Sequence, residues 1–323
     1  PGTVQPTPAV AAGQYSAVFH PGPPADYKPL GDIATGSLFR MEVHFSPLGA
    51  GIASIDLTDH FVTLKRTDHE RLQSFHPHPV NPNIGVAPFA LDAVEINGQV
   101  VRLFGDSSRP GTYWTETAPG TFQAIVNGPD GSPALKITRE YRLEQGSYDL
   151  VLNQRAENVS GAPMKIVWCQ FGPADLEMGL VRYGGDRRRI RFGYLTSPQA
   201  DPSQQIVRAK EFLIERTNTL GKPTAMNQMR VWVPKTLWPN PVALQKSLTP
   251  VWIGMTNRHF AVALHTLVDP NVAAAASGAG IGVRIDKVLT LAGTVDQFVM
   301  DSPSHTTETV SYTHLTLPTN REV

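Results

Sequence analysis

The side chains through which this chain of 323 residues could do chemistry fall in a few short stretches. "DHFVTLKRTDHERLQSFHPHPV" gathers His60, His69, His76 and His78 near Asp68 and Glu70. Imidazoles and carboxylates are the usual donors of a zinc or other transition-metal site. Their spacing matches no metal-binding pattern, and His76-Pro77-His78 reads as a turn, so a polar surface loop is expected and no metal. "DRRRIRF" sets Arg187, Arg188, Arg189 and Arg191 together, a run suited to phosphate or anionic lipid. In a chain that balances 28 Lys+Arg against 28 Asp+Glu, it reads more simply as a solvated face or a partner contact. In "PVWIGMTNRHFAVAL", residues 250–264, Arg258 and His259 stand side by side among apolar residues. Neighbours in one strand face opposite ways, so a straight strand would keep them apart. A tight turn at Thr256-Asn257 gives the simpler picture, a hairpin tip that carries both. Those six residues, four from the arginine run and this pair, are the expected contact surface for a partner or ligand.

The single cysteine, Cys169, lies in the apolar run "KIVWCQF" and is expected to be a buried, inert thiol. One cysteine excludes an internal disulfide and a cysteine-based zinc cluster. "LGAGIAS" and "ASGAGIGV" lack the strand–turn–helix setting of a dinucleotide site. "GYLTSP" lacks the G-x-S-x-G elbow of a serine nucleophile. No cofactor and no catalytic residue is therefore expected.

The elements that must carry these residues are strands. Gly and Pro contribute 27 and 28 residues, and charged residues are only 17%, a mixture that suits short strands joined by turns. In "LFRMEVHFSP" Phe39, Met41, Val43 and Phe45 share one parity, the inward one of a half-buried strand. Asn97-Gly98 separates two β-rich runs, a strong hairpin signal. Turn clusters at 127–133, 145–146 and 158–163 divide further strands of about six to ten residues. Strands at this spacing indicate an antiparallel sandwich or barrel. "DPSQQIVRAKEFLIERTN" is ambiguous between helix and strand. Residues 183–248 read as an elaborated insertion. The neutral charge balance gives no ground for nucleic-acid binding, and no run of 18 apolar residues occurs.

The chain divides into three parts: a Pro/Ala/Gly-rich linker over 1–36, a β domain over 37–302, and a tail over 303–323. Residues 310–323 are expected to be foreign to the domain. The chain begins without Met and is expected to be an excised piece of a longer protein.

Three ordered stretches carry a resemblance. They are "HFSPLGAGIASIDLTDHF", "ALKITREYRLEQGSYDLVLNQRAENVSGAPMKI" and "PVWIGMTNRHFAVAL", the last with Trp252 and Phe260 at matching places. Together they resemble the large periplasmic domain of the bacterial membrane-protein insertase YidC, over about residues 37–300. The resemblance implies an antiparallel β-supersandwich, galactose-mutarotase-like in shape, with a few short helices. It implies a place at the periplasmic face of the inner membrane, tethered by helices this chain lacks. It implies a non-catalytic contact module that meets SecD/SecF of the Sec translocon and nascent membrane proteins. The other reading is a carbohydrate-binding or aldose-epimerase-like sandwich. That chemistry needs an acid and a base converging on one cleft; His259, His265, Glu140 and Glu177 are the candidates. Trp114, Trp168, Trp232 and Trp252 would then serve as stacking platforms.

Overall fold

A computed structural model describes residues 13–23, 26–77, 85–105, 110–174, 176, 189–195, 208–212, 235–238, 245, 249–257, 259–267, 284–291, 295–302 and 307–314. Among them only Gln245 is helical. The expected short helices have no counterpart there, and among the described residues no helix is long and apolar enough to cross a membrane.

The alternation seen in the sequence becomes a set of antiparallel sheets. A four-stranded sheet runs β3 (Leu30–Gly31), β4 (Met41–Ser46), β5 (Gly51–Phe61), β6 (His69–Ser74). A ten-stranded sheet runs β1 (Ser16–Ala17), β13 (Thr121–Asn127), β14 (Pro133–Leu143), β15 (Asp149–Asn158), β24 (Thr307–His314), β21 (Ala261–Leu267), β20 (Thr249–Thr256), β17 (Arg189–Leu195), β18 (Arg208–Phe212). Its tenth strand, β12 (Thr115–Ala118), pairs with β13. A six-stranded sheet runs β10 (Gln99–Arg102), β9 (Leu91–Ile96), β16 (Ile166–Ala174), β23 (Val295–Ser302), β22 (Arg284–Leu291), β19 (Lys235–Trp238). Two short pairs complete the set: β2 (His20–Pro21) with β11 (Gly111–Thr112), and β7 (His76–Pro77) with β8 (Gly85–Val86). The chain is an all-β, antiparallel supersandwich: the strand spacing indicated an antiparallel sandwich or barrel, and the resemblance implied the supersandwich.

The meander β13–β14–β15 shows how the pattern fixes the register. Phe122, Ala124 and Val126, then Leu135, Ile137 and Tyr141, then Leu150, Leu152 and Ala156 are all buried. They alternate with partly exposed neighbours. A slip of one residue would turn every one of them to the other face. Each large apolar side chain contributes roughly 1.5–3 kcal/mol when removed from water, which holds the pairing in place. Their partners across the interior include Val94, Ile96, Ile166 and Trp168 of the six-stranded sheet, all in the same core.

Two turns set how neighbouring strands meet. Asn97 and Gly98, at φ +51° and +90°, close the β9–β10 hairpin as the sequence predicted. The "LGAG" turn between β4 and β5 is a close approach rather than slack backbone. A Cβ on Gly51 would stand 2.5 Å from Ala90 Cβ, and one on Gly49, at φ +62°, would stand 2.6 Å from Leu91 O. Only residues without a side chain let this turn lie against residues 87–91.

The structure differs from the expected boundaries at both ends. Within the expected linker, Tyr15 N donates to Gln99 Oε1 (2.9 Å), Ser16–Ala17 pairs with β13, and Tyr27 is buried in the core. A Pro/Gly-rich segment has no periodicity of its own, yet it can add short edge pieces to a sheet. In the expected tail, Thr307–His314 pairs with both β15 and β21. The sequence there is rich in Thr, Val and Tyr, residues that favour strands. Within the expected insertion, β17 and β18 extend the ten-stranded sheet and β19 the six-stranded one, and Arg208–Phe212 resolves the helix–strand ambiguity as strand.

Candidate functional site

Of the six expected contact residues, Arg187, Arg188 and Arg258 lie outside the described residues. Arg189 and Arg191 belong to β17, where they pair with Thr256 and Gly254 of β20. The arginine run thus ends beside the strand that leads into His259, so two stretches singled out separately are neighbours in register. His259 is exposed on the β20–β21 turn. Asn257 builds that turn: its Oδ1 accepts from His259 N (2.8 Å) and Phe260 N (2.7 Å), and its N donates to Phe260 O (2.9 Å). An asparagine side chain mimicking a backbone turn is the usual device. The tip predicted from the sequence is therefore present, with His259 outward.

Phe260 turns the other way. Its ring meets His60 edge-on at 5.8 Å, and Tyr148 lies 6.3 Å from the same imidazole. Partial burial holds His60 below its ordinary pKa, against a smaller opposite effect of Asp59. His69 is engaged locally, with Nδ1 2.7 Å from Leu57 O and its ring 4.6 Å from Phe61. Among the described residues no three His, Cys, Asp or Glu side chains are placed to share a metal.

Of the candidate acid–base residues of the carbohydrate reading, Glu140 and His259 do not converge. Glu140 accepts from Arg142 Nε (2.8 Å) and Asn153 Nδ2 (3.4 Å). Across the sheet Glu140 pairs with Asn153, Asn153 with Val310, and Val310 with Leu267. His259 lies two residues beyond the far end of that last strand, whose own length is about 20 Å at the usual rise per residue. The backbone of His265 pairs with Trp252 and Tyr312, and Glu177 and Trp232 lie outside the described residues. Trp114 and Trp168 are buried in the core and present no face to solvent.

The structure instead brings together a polar centre inside the sandwich. Arg139 sits on the inward parity of β14, between Ile137 and Tyr141, and is fully buried. Its Nη1 donates to Gln154 Oε1 (2.5 Å) on β15 and Gln170 Oε1 (3.3 Å) on β16, so the guanidinium joins the two large sheets. Its Nη2 donates to Phe89 O and to Tyr141 Oη (3.0 Å), and Tyr141 in turn donates to Ala50 O (2.8 Å). The guanidinium carbon stands 6.0 Å from the Trp114 ring centroid and 5.8 Å from that of Tyr141. Burial pushes the Tyr141 hydroxyl above its ordinary pKa, although Arg139 opposes this.

Backbone strain occurs at the same place. Ala50 and Phe89 have φ of +44° and +59°, a region that residues with a Cβ rarely enter. Both offer their carbonyls to this centre. Strained residues persist where surrounding structure requires them, commonly at functional positions. The centre is donor-rich. Arg139 Nε, Gln154 Nε2, Gln170 Nε2 and Trp168 Nε1 are buried without a hydrogen-bond partner. Sequence reasoning passed over all of these except Trp168. The signal was present, because Arg139, Gln154 and Gln170 each occupy the apolar parity of their strand.

Cys169, expected to be buried, is half-buried. Burial, with a smaller push from Asp92, raises its thiol to about 11. The thiolate is the nucleophile, so alkylation of the native chain by iodoacetamide at pH 8 is slow and rises through about pH 11, whereas the unfolded chain reacts from about pH 9. The same difference makes native stability fall as pH climbs from about 9 to 11, where the unfolded thiol ionises first. Rapid native labelling at pH 8 would contradict this.

The loop between β5 and β6 carries exposed apolar side chains. The β5–β6 loop closes with Arg66 N donating to Thr63 O (3.1 Å), and Arg66, at φ +56°, folds back over Phe61 at 5.9 Å. Leu64 is at the apex, fully exposed, and Val62 is 61% exposed. Continuing the β4–β5 register past Met41 and Leu57 sets Leu38, 67% exposed, opposite His60. Turn apices ordinarily carry Gly, Asn, Asp or Ser. A leucine there serves no packing purpose among the described residues.

No family model matches the chain, and no curated protein matches it. Among solved structures it is similar to "a Putative aldose 1-epimerase" from Escherichia coli K12, at 12% identity and a TM-score of 0.35, over 86% of this chain and 96% of that one. So low a TM-score carries no argument about activity, and the architecture stands on the strand pairings themselves.

Proposed function

We propose that this chain is a contact module: a β-supersandwich that binds other proteins and carries out no reaction of its own. The observation that supports the reading is the solvent-exposed Leu64 at the apex of the β5–β6 loop, two residues after the exposed Val62. A leucine held fully in water at a turn apex gains by burial against a partner. The three-stretch resemblance specifies the setting. The module is the periplasmic domain of a membrane-protein insertase, at the periplasmic face of the inner membrane. Its partners are the SecD/SecF components of the Sec translocon and nascent membrane proteins. Arg187, Arg188, Arg189, Arg191, Arg258 and His259 form a second, polar part of the contact surface.

The test is site-specific photo-crosslinking in cells that produce the full-length source protein. A crosslinking residue at Leu64 should give adducts with a Sec-translocon subunit or a nascent membrane protein. The same residue at Val100, exposed on the β9–β10 hairpin, should give far fewer. Equal yields at both positions would remove the support. Interconversion of sugar anomers by the purified chain would overturn the non-catalytic reading outright.

A further inference from the structure

We propose that the interior of this domain holds a small monovalent anion, of the size of chloride, against Arg139. The inference is independent of the contact function. Arg139 carries a positive charge into the apolar space between the two large sheets, where an uncompensated charge is costly. Its hydrogen-bond partners are all neutral: two amide oxygens, one carbonyl and one phenol.

The orientation of the two amides sharpens the point. Gln154 and Gln170 must both turn Oε1 to the guanidinium, because the reverse would set N–H against N–H. Their Nε2 groups are therefore left over, and Arg139 Nε and Trp168 Nε1 are likewise buried without an acceptor. All four unmet atoms are donors. A water molecule would accept from them but would also have to donate two protons of its own. The acceptors at hand already take a donor each, Gln154 Oε1, Gln170 Oε1 and Phe89 O from Arg139 and Ala50 O from Tyr141, so a water would have to share their second lone pairs and would leave the charge uncancelled. An anion accepts without donating and cancels the charge. The two left-handed residues, Ala50 and Phe89, have their carbonyls held by Tyr141 and Arg139, which fixes the donors in place.

The experiment is urea unfolding of the 323-residue chain in sodium chloride or sodium gluconate at equal ionic strength, gluconate being too large to enter. Above the dissociation constant, each tenfold rise in chloride should raise the folded-to-unfolded ratio up to tenfold, and gluconate should not. Gln170→Glu supplies an internal carboxylate next to Arg139, and in that variant the chloride dependence should vanish. Equal unfolding curves in the two salts for the unsubstituted chain would overturn the proposal, as would a Gln170→Glu variant with undiminished dependence. If that variant does not fold, bromide-soaked crystals of the unsubstituted chain decide. An anomalous peak within hydrogen-bond distance of Arg139 Nε supports the site, and its absence overturns it.

Discussion

Replacing Trp114 with alanine lowers the free energy of unfolding by about 3–5 kcal/mol, the range for deleting a large buried aromatic. Three losses combine. The indole is buried at the centre of the main core. Its Nε1 donates to Leu103 O at 2.9 Å, so the truncation strands a buried carbonyl. Its face lies 6.0 Å from the Arg139 guanidinium, and alanine removes that favourable quadrupole. Trp114→Phe keeps most of the volume and loses the donor, so it should cost markedly less. Urea midpoints with an unchanged slope measure both. A loss below about 1 kcal/mol for alanine would mean that the ring does not fill this space.

Arg139→Met has an effect of similar size, about 3 kcal/mol or more, through a different route. The methionine is apolar and fits the core, yet it leaves Gln154 Oε1, Gln170 Oε1 and Phe89 O without their donor. The expense lies in the orphaned acceptors rather than in the loss of arginine itself. The triple change Arg139→Met, Gln154→Leu, Gln170→Leu should therefore recover most of the lost stability, because it removes the amides together with the charge. Strong non-additivity of this sign is what contacting residues give. A triple variant as unstable as the sum of its parts would show that the three do not act as one unit.

Much of this architecture was legible because β structure writes its burial into alternate residues. Met41, Val43 and Phe45 announced their strand, and Asn97-Gly98 its hairpin. Asn257 could be read as a turn former, and it places His259 outward as expected. The boundaries were less legible. Ser16–Ala17 is a two-residue edge piece, too short for any period, and its pairing with Asn127 and Val126 is set by a partner more than a hundred residues away. The polar centre was hidden for another reason. A single arginine on an apolar parity looks like an interruption until its neighbours across the interior are known. Gln154 faces Arg139 across the β14–β15 hairpin, but Gln170 comes from a strand that meets Arg139 only once both sheets are closed. Leu64 was overlooked because histidines and charges dominate the stretch around it, and its exposure depends on a turn that no sequence motif marks.

The place of β16 in the six-stranded sheet bears on how quickly the chain reaches its native form. Cys169 on β16 pairs with Ala93 on one side and Val299 on the other, partners 76 and 130 positions away. Loop-closure entropy must be met before such distant pairings give anything back. The local hairpins β9–β10 and β13–β14 can form early, while both edges of β16 stay open until distant segments arrive. Folding of this sheet is governed by contact order, which places it on the millisecond-to-second side of the range for small domains. For that interval the open edges of β16 are a template that another unfolded chain could pair with.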